Sequence, residues 1–335
     1  MRILLWHVHG AWTTAFVHGA HDYVVPVVEG RGADGVGIAR TYAWPDSVTE
    51  LPPGALRDED FDAVVLQRPH ELEHLAEDWL GRRPGRDLPA IYVEHNAPQG
   101  RIADMRHPAA DRDDLLLVHV THFNALFWDT GATPSTVIEH GIVDPGERYT
   151  GELARAAVVI NEARRRGRVT GTDLLDVFAR DVPLDLFGIG AEHAGTAAHA
   201  VGDLPHAALH AELARRRAYL HPIRWTSLGL SLLEAMHLGM PVVALGTTEV
   251  HEAVPPEAGV VSTRIDVLAG ALRRLVADPQ EARERGRAAR AAGLSRYGLG
   301  RFLADWDRAL ATATGSDPAI RHAAGSQDPI ASGVR

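Results

Sequence analysis

Short runs of apolar residues alternate along the chain with longer stretches in which apolar residues recur every three or four positions, a pattern that predicts strands and helices in turn. Residues 2–9 (RILLWHVH) form the first run, and FDAVVLQRP, AIYVEHN, LLLVHV and TVIEHGIVD follow. Runs that are apolar at successive positions belong to parallel strands buried on both faces. Between them, residues 70–80 and the segment after Thr121 read as helices. Residues 29–60, rich in Gly, Pro and Asp, predict irregular structure. Residues 145–153 read as a linker, after which the alternation restarts through AAVVIN, LDLFGIG, YLHP, PVVAL and GVVST, with helices over 265–276 and 279–293. The fold class expected is α/β with doubly wound parallel sheets. From Thr312 the chain is Ala, Gly, Ser, Asp and Pro, a composition that predicts a disordered tail.

The densest pattern lies in residues 219–245, YLHPIRWTSLGLSLLEAMHLGMPVVAL. Leu228, Leu232, Leu233 and Met236 recur at helical spacing, Thr226 or Ser227 can cap the start, and Gly239 followed by Pro241 stops the helix. Apolar runs on either side make the unit strand, tight loop, helix, strand. Glu234 interrupts this helix within two turns of an amino terminus whose free N–H groups and positive dipole end attract anions. A carboxylate there belongs either on a solvated outer face or against a ligand's hydroxyls. In NEARRRGRVTGTDLLDVF, a basic loop with Arg164, Arg165, Arg166 and Arg168 leads through Gly171 into a helix marked by Leu174, Leu175 and Phe178. Guanidinium forks suit phosphate oxygens, although a solvated basic turn has the same composition. His7, His9 and Gly10 end the first run, where a parallel strand presents its carboxyl end to a crevice.

Composition narrows the chemistry. The 335 residues, 45% of them hydrophobic, suffice for two domains with well-formed cores. No apolar run reaches the roughly 18 residues of a membrane span, and the amino terminus lacks the pattern of a signal peptide, so a cytoplasmic protein is expected. With no cysteine there is no disulfide framework, thiolate nucleophile or Cys-ligated zinc. A formal net charge of −10 disfavours nucleic acid as a partner. All 34 basic residues are arginine, so a phosphate clamp must be built from Arg forks or backbone N–H groups.

One rival motif is present. Residues 70–74 read HELEH, a literal His-Glu-x-x-His, the pattern of zinc hydrolases. With 19 His in the chain, chance matches come easily. Leu72, Leu75 and Trp79 form that helix's core stripe, which leaves His70, Glu71 and His74 towards its edge or solvent, and no third-ligand extension follows. No metal site is expected here or in the solvated DRDD loop at 111–114.

These segments together resemble the retaining, nucleotide-sugar-dependent glycosyltransferases of the GT-B fold (group 1, or family 4, type). The family's donor signature runs from a strand ending in Pro-Ser through Glu, seven residues, Glu, Ala-Met and a Gly-x-Pro-Val-Val strand. Glu234, Ala235, Met236, Gly239, Pro241, Val242 and Val243 match it, and Thr226 stands where the first Glu is expected. The resemblance implies two Rossmann-like domains facing a cleft: an acceptor domain over 1–146, a nucleotide-sugar domain over 147–300, a helix over 301–314 returning to the first domain, and the tail over 315–335. It assigns the ribose hydroxyls to Glu234, the donor sugar to Thr226, and the diphosphate to the turn at Ser227, Leu228, Gly229 and Leu230 with Arg164 and Arg165. Arg166 and Arg168 would stabilise the leaving group, and Thr170 lies nearest to the family's lysine. Gly188 and Gly190 would flank the nucleotide, with Asp203 and Leu204 near its base. His95 would orient sugar or acceptor, and His7, His9, Gly10 and Thr121 would face the acceptor, with Thr121 also capping the helix that follows its strand.

The activity so implied is transfer of a sugar from a nucleotide sugar to an unidentified acceptor, with retention, without metal and without cofactor. The acceptor would be a polysaccharide, a lipid-linked sugar or a natural product. No nucleic acid partner and no integral membrane segment are expected. The loss of the first Glu leaves a catalytically degenerate nucleotide- or sugar-binding protein as the alternative, with a zinc hydrolase at residues 70–74 behind it.

Overall fold

The computed structural model describes residues 1–316, so the tail expected over 315–335 lies almost wholly outside the described residues. Two parallel sheets organise the chain. The first contains β1 (Arg2–Leu5), β2 (Asp22–Pro26), β3 (Val48–Leu51), β4 (Ala63–Leu66), β5 (Ala90–Glu94), β6 (Leu116–His119) and β7 (Ser135–Val137), in the order β3-β2-β1-β4-β5-β6-β7. The second contains β8 (Leu153–Val159), β9 (Leu184–Phe187), β10 (His199–Gly202), β11 (Arg216–His221), β12 (Val242–Leu245) and β13 (Gly259–Ser262), in the order β10-β9-β8-β11-β12-β13. Each order reverses direction beside its first strand, at β1/β4 and at β8/β11, and open α/β sheets bind ligands at such switch points.

Helices cover both faces of each sheet. In the first half these are α1 (Gly10–Phe16), α2 (Pro53–Leu56), α3 (Ala76–Leu80) and α4 (His122–Phe127). The second half adds α5 (Ala163–Thr170), α6 (Leu175–Ala179), α7 (His206–Arg215), α8 (Leu230–Leu238), α9 (Val250–Ala253), α10 (Ile265–Ala277), α11 (Pro279–Tyr297) and α12 (Leu299–Ala313). α12 crosses back to the first sheet, where Phe302, Trp306 and Leu310 join the core of Trp12, Phe16 and Tyr23. The Trp306 ring lies 4.9 Å from Phe16 and 5.6 Å from Trp12, both edge-on. Beside the crossover, the Ile142 N–H donates to the Tyr297 carbonyl at 2.9 Å, and Ile142 bridges Gly298 in parallel. Arg296 holds Glu139 through both carboxylate oxygens, and Arg290 holds Asp144 at 2.8 Å.

Several local expectations need correction. β1 ends at Leu5, and residues 6–9 form a loop leading directly into α1, so His7 and His9 leave the sheet earlier than the apolar pattern suggests. The segment expected to be irregular over 29–60 holds β3 and α2, and β3 pairs in parallel with β2 as the edge of the first sheet. α8 begins at Leu230 with Gly229 as its N-cap and no capping side chain. Thr226 and Ser227 lie too far upstream to cap it, because the loop after β11 is drawn across to the first domain: the Ala97 N–H donates to the Thr226 carbonyl at 3.2 Å and the Trp225 indole to Pro98 at 2.8 Å. Thr121 does cap α4, its hydroxyl accepting from the Asn124 N–H at 3.1 Å. α11 continues past residue 293 to Tyr297.

Candidate active site

The carboxyl ends of the two sheets enclose a cavity of about 490 Å³. Its walls come from the two switch points: Val8, His9 and Gly10 after β1, Ile160 and Asn161 after β8, and Ile223 and Gly229 after β11. The first turn of α8, residues 230–231, adds N–H groups that no side chain caps. Gly188, after β9, also lines the cavity, and its φ of 118° brings the chain so close that a Cβ would stand 2.5 Å from the Ile160 carbonyl oxygen. Gly190 belongs to the same loop but does not line the cavity. Asp203 and Leu204 line the wall beyond β10, as does Leu209 of α7. Such a volume fits a ligand of nucleotide size.

The basic segment is a helix, α5, and not the loop expected. Its phase separates the four arginines. Arg165 turns outward to Glu162, Arg168 pairs with Asp173 at 3.0 Å, and Arg164 is exposed. Only Arg166 lines the cavity, together with Thr170 at the helix end. The Arg166 guanidinium has no hydrogen-bond or ion-pair partner among the described residues, and burial followed by the charge of Arg165 lowers its pKa. An unpaired, half-buried cation is costly unless a ligand supplies the anion. Arg168, expected at the leaving group, does not line the cavity and pairs with Asp173 instead.

Facing Arg166 across the cleft is His9, whose pKa falls to about 4 through burial and then the charges of Arg166, Arg68 and His7. His95 sits behind His9, ring to ring at 4.0 Å, and is not part of the cavity wall. Its Nε2 donates to the Gln67 Oε1 at 3.0 Å, an orientation fixed because the Gln67 amide donates to the Trp6 carbonyl at 2.6 Å. His95 thus braces His9 and does not reach the ligand space. His7 is engaged with the Gly37 carbonyl at 3.0 Å, and Thr121 is buried beside Ser227 at 3.4 Å. Neither faces the cavity, and neither do Thr226, Ser227 and Leu228.

Glu234 of α8 does line the cavity. It is buried, and its Oε1 accepts from the His206 Nε2 at 2.8 Å, while the His210 Nε2 stands 3.7 Å from Oε2, beyond hydrogen-bond distance. Burial pushes the carboxyl up, but His206 and His210 outweigh it and hold the group at about 2. The histidines occupy positions 206 and 210 of α7, one helical turn apart, and this HAALH spacing is the signal by which the sequence could have revealed them. HELEH, by contrast, is occupied internally. Glu71 is fully buried, contrary to expectation, and accepts from the Gln67 and Arg68 N–H groups, while His70 pairs with Asp34 at 2.9 Å.

Residues 189–292 match the family described as Glycosyl transferases group 1, a segment that includes Glu234, His206 and His210. The described residues have the GT-B fold. The chain is similar to a sucrose-phosphate synthase from Thermosynechococcus elongatus (TM-score 0.72, 14% identity, over 95% of this chain and 100% of that one). It is similar also to HepE from Anabaena in complex with UDP and glucose (TM-score 0.66, 15% identity, 93% and 100%). A variant of TarM from S. aureus, in complex with Fondaparinux, alpha-GlcNAc-glycerol and UDP, aligns at TM-score 0.62 and 12% identity over 77% of this chain and 58% of that one. No curated protein sequence matches the chain. The family match and the shared fold indicate a glycosyltransferase. Among the described residues no helix is long and apolar enough to cross a membrane.

Proposed function

We propose that the protein transfers a glycosyl group from a nucleoside-diphosphate sugar, bound at the second sheet's switch point, to an acceptor held by the first domain. The observation that carries this reading is the pairing of an unpartnered Arg166 with an uncapped α8 amino terminus in one cavity that also holds an ionised Glu234. The diphosphate lies against Arg166 and the N–H groups of residues 229–231, where the leaving group's charge is stabilised without reorganisation. Glu234 accepts a ribose hydroxyl through Oε2 while His206 remains on Oε1. Asp203 and Leu204 border the space for the base. The complexes of HepE with UDP and glucose and of TarM with UDP support the choice of donor.

The protonation states bear on mechanism. A general base works best with a pKa near the operating pH, and His9 at about 4 is far below it. His9 therefore orients the acceptor, and the departing phosphate oxygen takes the acceptor's proton on the same face, which gives retention. Arg166 and the helix end supply the positive charge that a metal would otherwise bring, so turnover is expected to proceed in excess chelator. The acceptor is a hydroxyl compound approaching past His9 and Gly10.

A thermal-shift panel of nucleotide sugars tests the donor, followed by a transfer assay with the best binder. Glu234→Ala should weaken donor binding by about 1.5–3 kcal/mol, the worth of one charge-assisted hydrogen bond, which is roughly ten- to a hundredfold in Kd. Stabilisation by no nucleotide sugar, or a Glu234→Ala protein that binds the donor as tightly as its parent, overturns the reading.

A further inference from the structure

Among the described residues, one grouping of side chains has the donor atoms and spacing of a metal site: His206, His210 and Glu234, whose ligand atoms all lie within 4.8 Å of one another. The two imidazoles share a face of α7 with ring centroids 4.0 Å apart, and α8 brings the carboxylate against both. A second observation is independent of this spacing. The His210 Nε2 is buried and has no hydrogen-bond partner, although it is aimed at Glu234. Buried polar atoms are seldom left unsatisfied. A hydrogen bond cannot span the 3.7 Å from this nitrogen to Oε2, but a cation bonded to each atom at about 2.0–2.2 Å can. To complete the set, His206, which is only partly buried, would have to open slightly from its 2.8 Å contact.

We propose that His206, His210 and Glu234 form a site for a divalent transition metal of the zinc type, and that its occupancy closes the ribose subsite. Two imidazole nitrogens and one carboxylate oxygen suit Zn²⁺ and its substitute Co²⁺, and are poor ligands for Mg²⁺ or Ca²⁺, which want mostly oxygen. Three protein ligands leave one position open, and the cavity lined by His206 and Glu234 gives the ion its path from solvent. On the other side of His206 and Glu234 a void of about 10 Å³, bounded by Ala11, Thr14, Ile142 and Val143, has room for a single water. The part concerning ribose rests on the donor reading above: the carboxylate that binds the metal is the one assigned to the nucleoside. The metal therefore has no role in transfer and acts as an inhibitor competing with the donor.

Cobalt titration of chelator-stripped protein without an affinity tag, followed by visible absorption, reads the site directly. One Co²⁺ per chain with the absorption of a four- or five-coordinate N/O site is expected, and Zn²⁺ should bleach it. Since outer-shell partners alone are worth about 10- to 100-fold in metal affinity, His206→Ala and His210→Gln should each weaken binding by at least tenfold. His74→Ala, in the other histidine pair, should change nothing, and circular dichroism of each variant confirms folding. Absence of the absorption, or its retention in both site variants, overturns the site. Competition is tested with ribonucleosides, which carry the ribose but no metal-binding phosphate. They should shift the cobalt titration to higher concentration. An unshifted titration, with the cobalt spectrum intact, overturns the assignment of ribose to Glu234 and leaves the metal site standing.

Discussion

Replacing Arg166 by alanine separates the structure's account of the basic helix from what its composition suggests, because four arginines occur within five positions and only one lines the cavity. A guanidinium fork can give a diphosphate two charge-assisted hydrogen bonds of about 1.5–3 kcal/mol each. Arg166 is only half-buried and keeps some water, so the lower figure applies, about 3 kcal/mol in all or a hundredfold in Kd. Arg165 and Arg168 are spent on the exposed pairs with Glu162 and Asp173, and Arg164 on solvent. An exposed charge is worth at most about 1 kcal/mol, so alanine at any of these three positions should leave Kd within about fivefold. Folding should be little affected by Arg166→Ala, since no protein group hydrogen-bonds that guanidinium and the loss of its repulsion of Arg165 and His9 offsets the loss of its attraction for Glu162. Calorimetric titration with nucleoside diphosphate, run on the four single variants and the parent, measures all of this. If Arg166→Ala stays within fivefold of the parent, or if one of the other three matches its loss, the diphosphate does not lie at Arg166.

Two further outcomes follow from the packing. Trp306→Ala should destabilise the first domain by about 3–5 kcal/mol, the cost of removing a large buried aromatic, because the ring is wedged between Trp12, Phe16 and Phe302; urea unfolding showing no early transition would contradict it. Stability should also fall on acidification. His119 and His221 are held neutral by burial at about 4, and His140 at about 3, against an ordinary value of 6.5. Between those limits the unfolded chain binds protons that the folded chain does not, so the stabilisation is complete above pH 6.5 and is lost as pH falls towards 4, at up to about 1.4 kcal/mol per pH unit for each group. A melting temperature that stays constant from pH 7 to pH 5 would refute this.

Much of the architecture was legible because it is written in local pattern. The buried parallel strands announce themselves as short apolar runs, Thr121 caps where it stands, and Gly239 ends α8 in the left-handed conformation at φ 89°. The edge strand β3 and its neighbour β2 were not legible: β3 reads VTEL, with polar residues among the apolar ones, and β2 ends at a proline. Nor was the true start of α8, since Thr226 has the chemistry of a cap but its carbonyl is committed to Ala97 of the other domain. Among the site residues, Glu234 stood out as a carboxylate in an apolar helix, whereas nothing local could single out Arg166 from its neighbours. Its direction depends on the left-handed Glu162 at the helix start and on the kink at Gly167, both conformations and not residue types. His206 and His210 carry a visible spacing, but the carboxylate they meet arrives from a different helix. Tertiary structure alone joins them.

The paired crossing at Ile142 and Gly298 has a mechanical meaning. Two lengths of chain pass between the domains side by side, hydrogen-bonded to each other and flanked by the clasps of Arg296 on Glu139 and Arg290 on Asp144. A single tether would let one half swivel and drift, but a doubled one behaves as a door hinge does, free in rotation about its own line and stiff against shear and twist. A motion confined to that line would part the jaws along one arc and bring the wall bearing Arg166 back to the same register against the wall bearing His9.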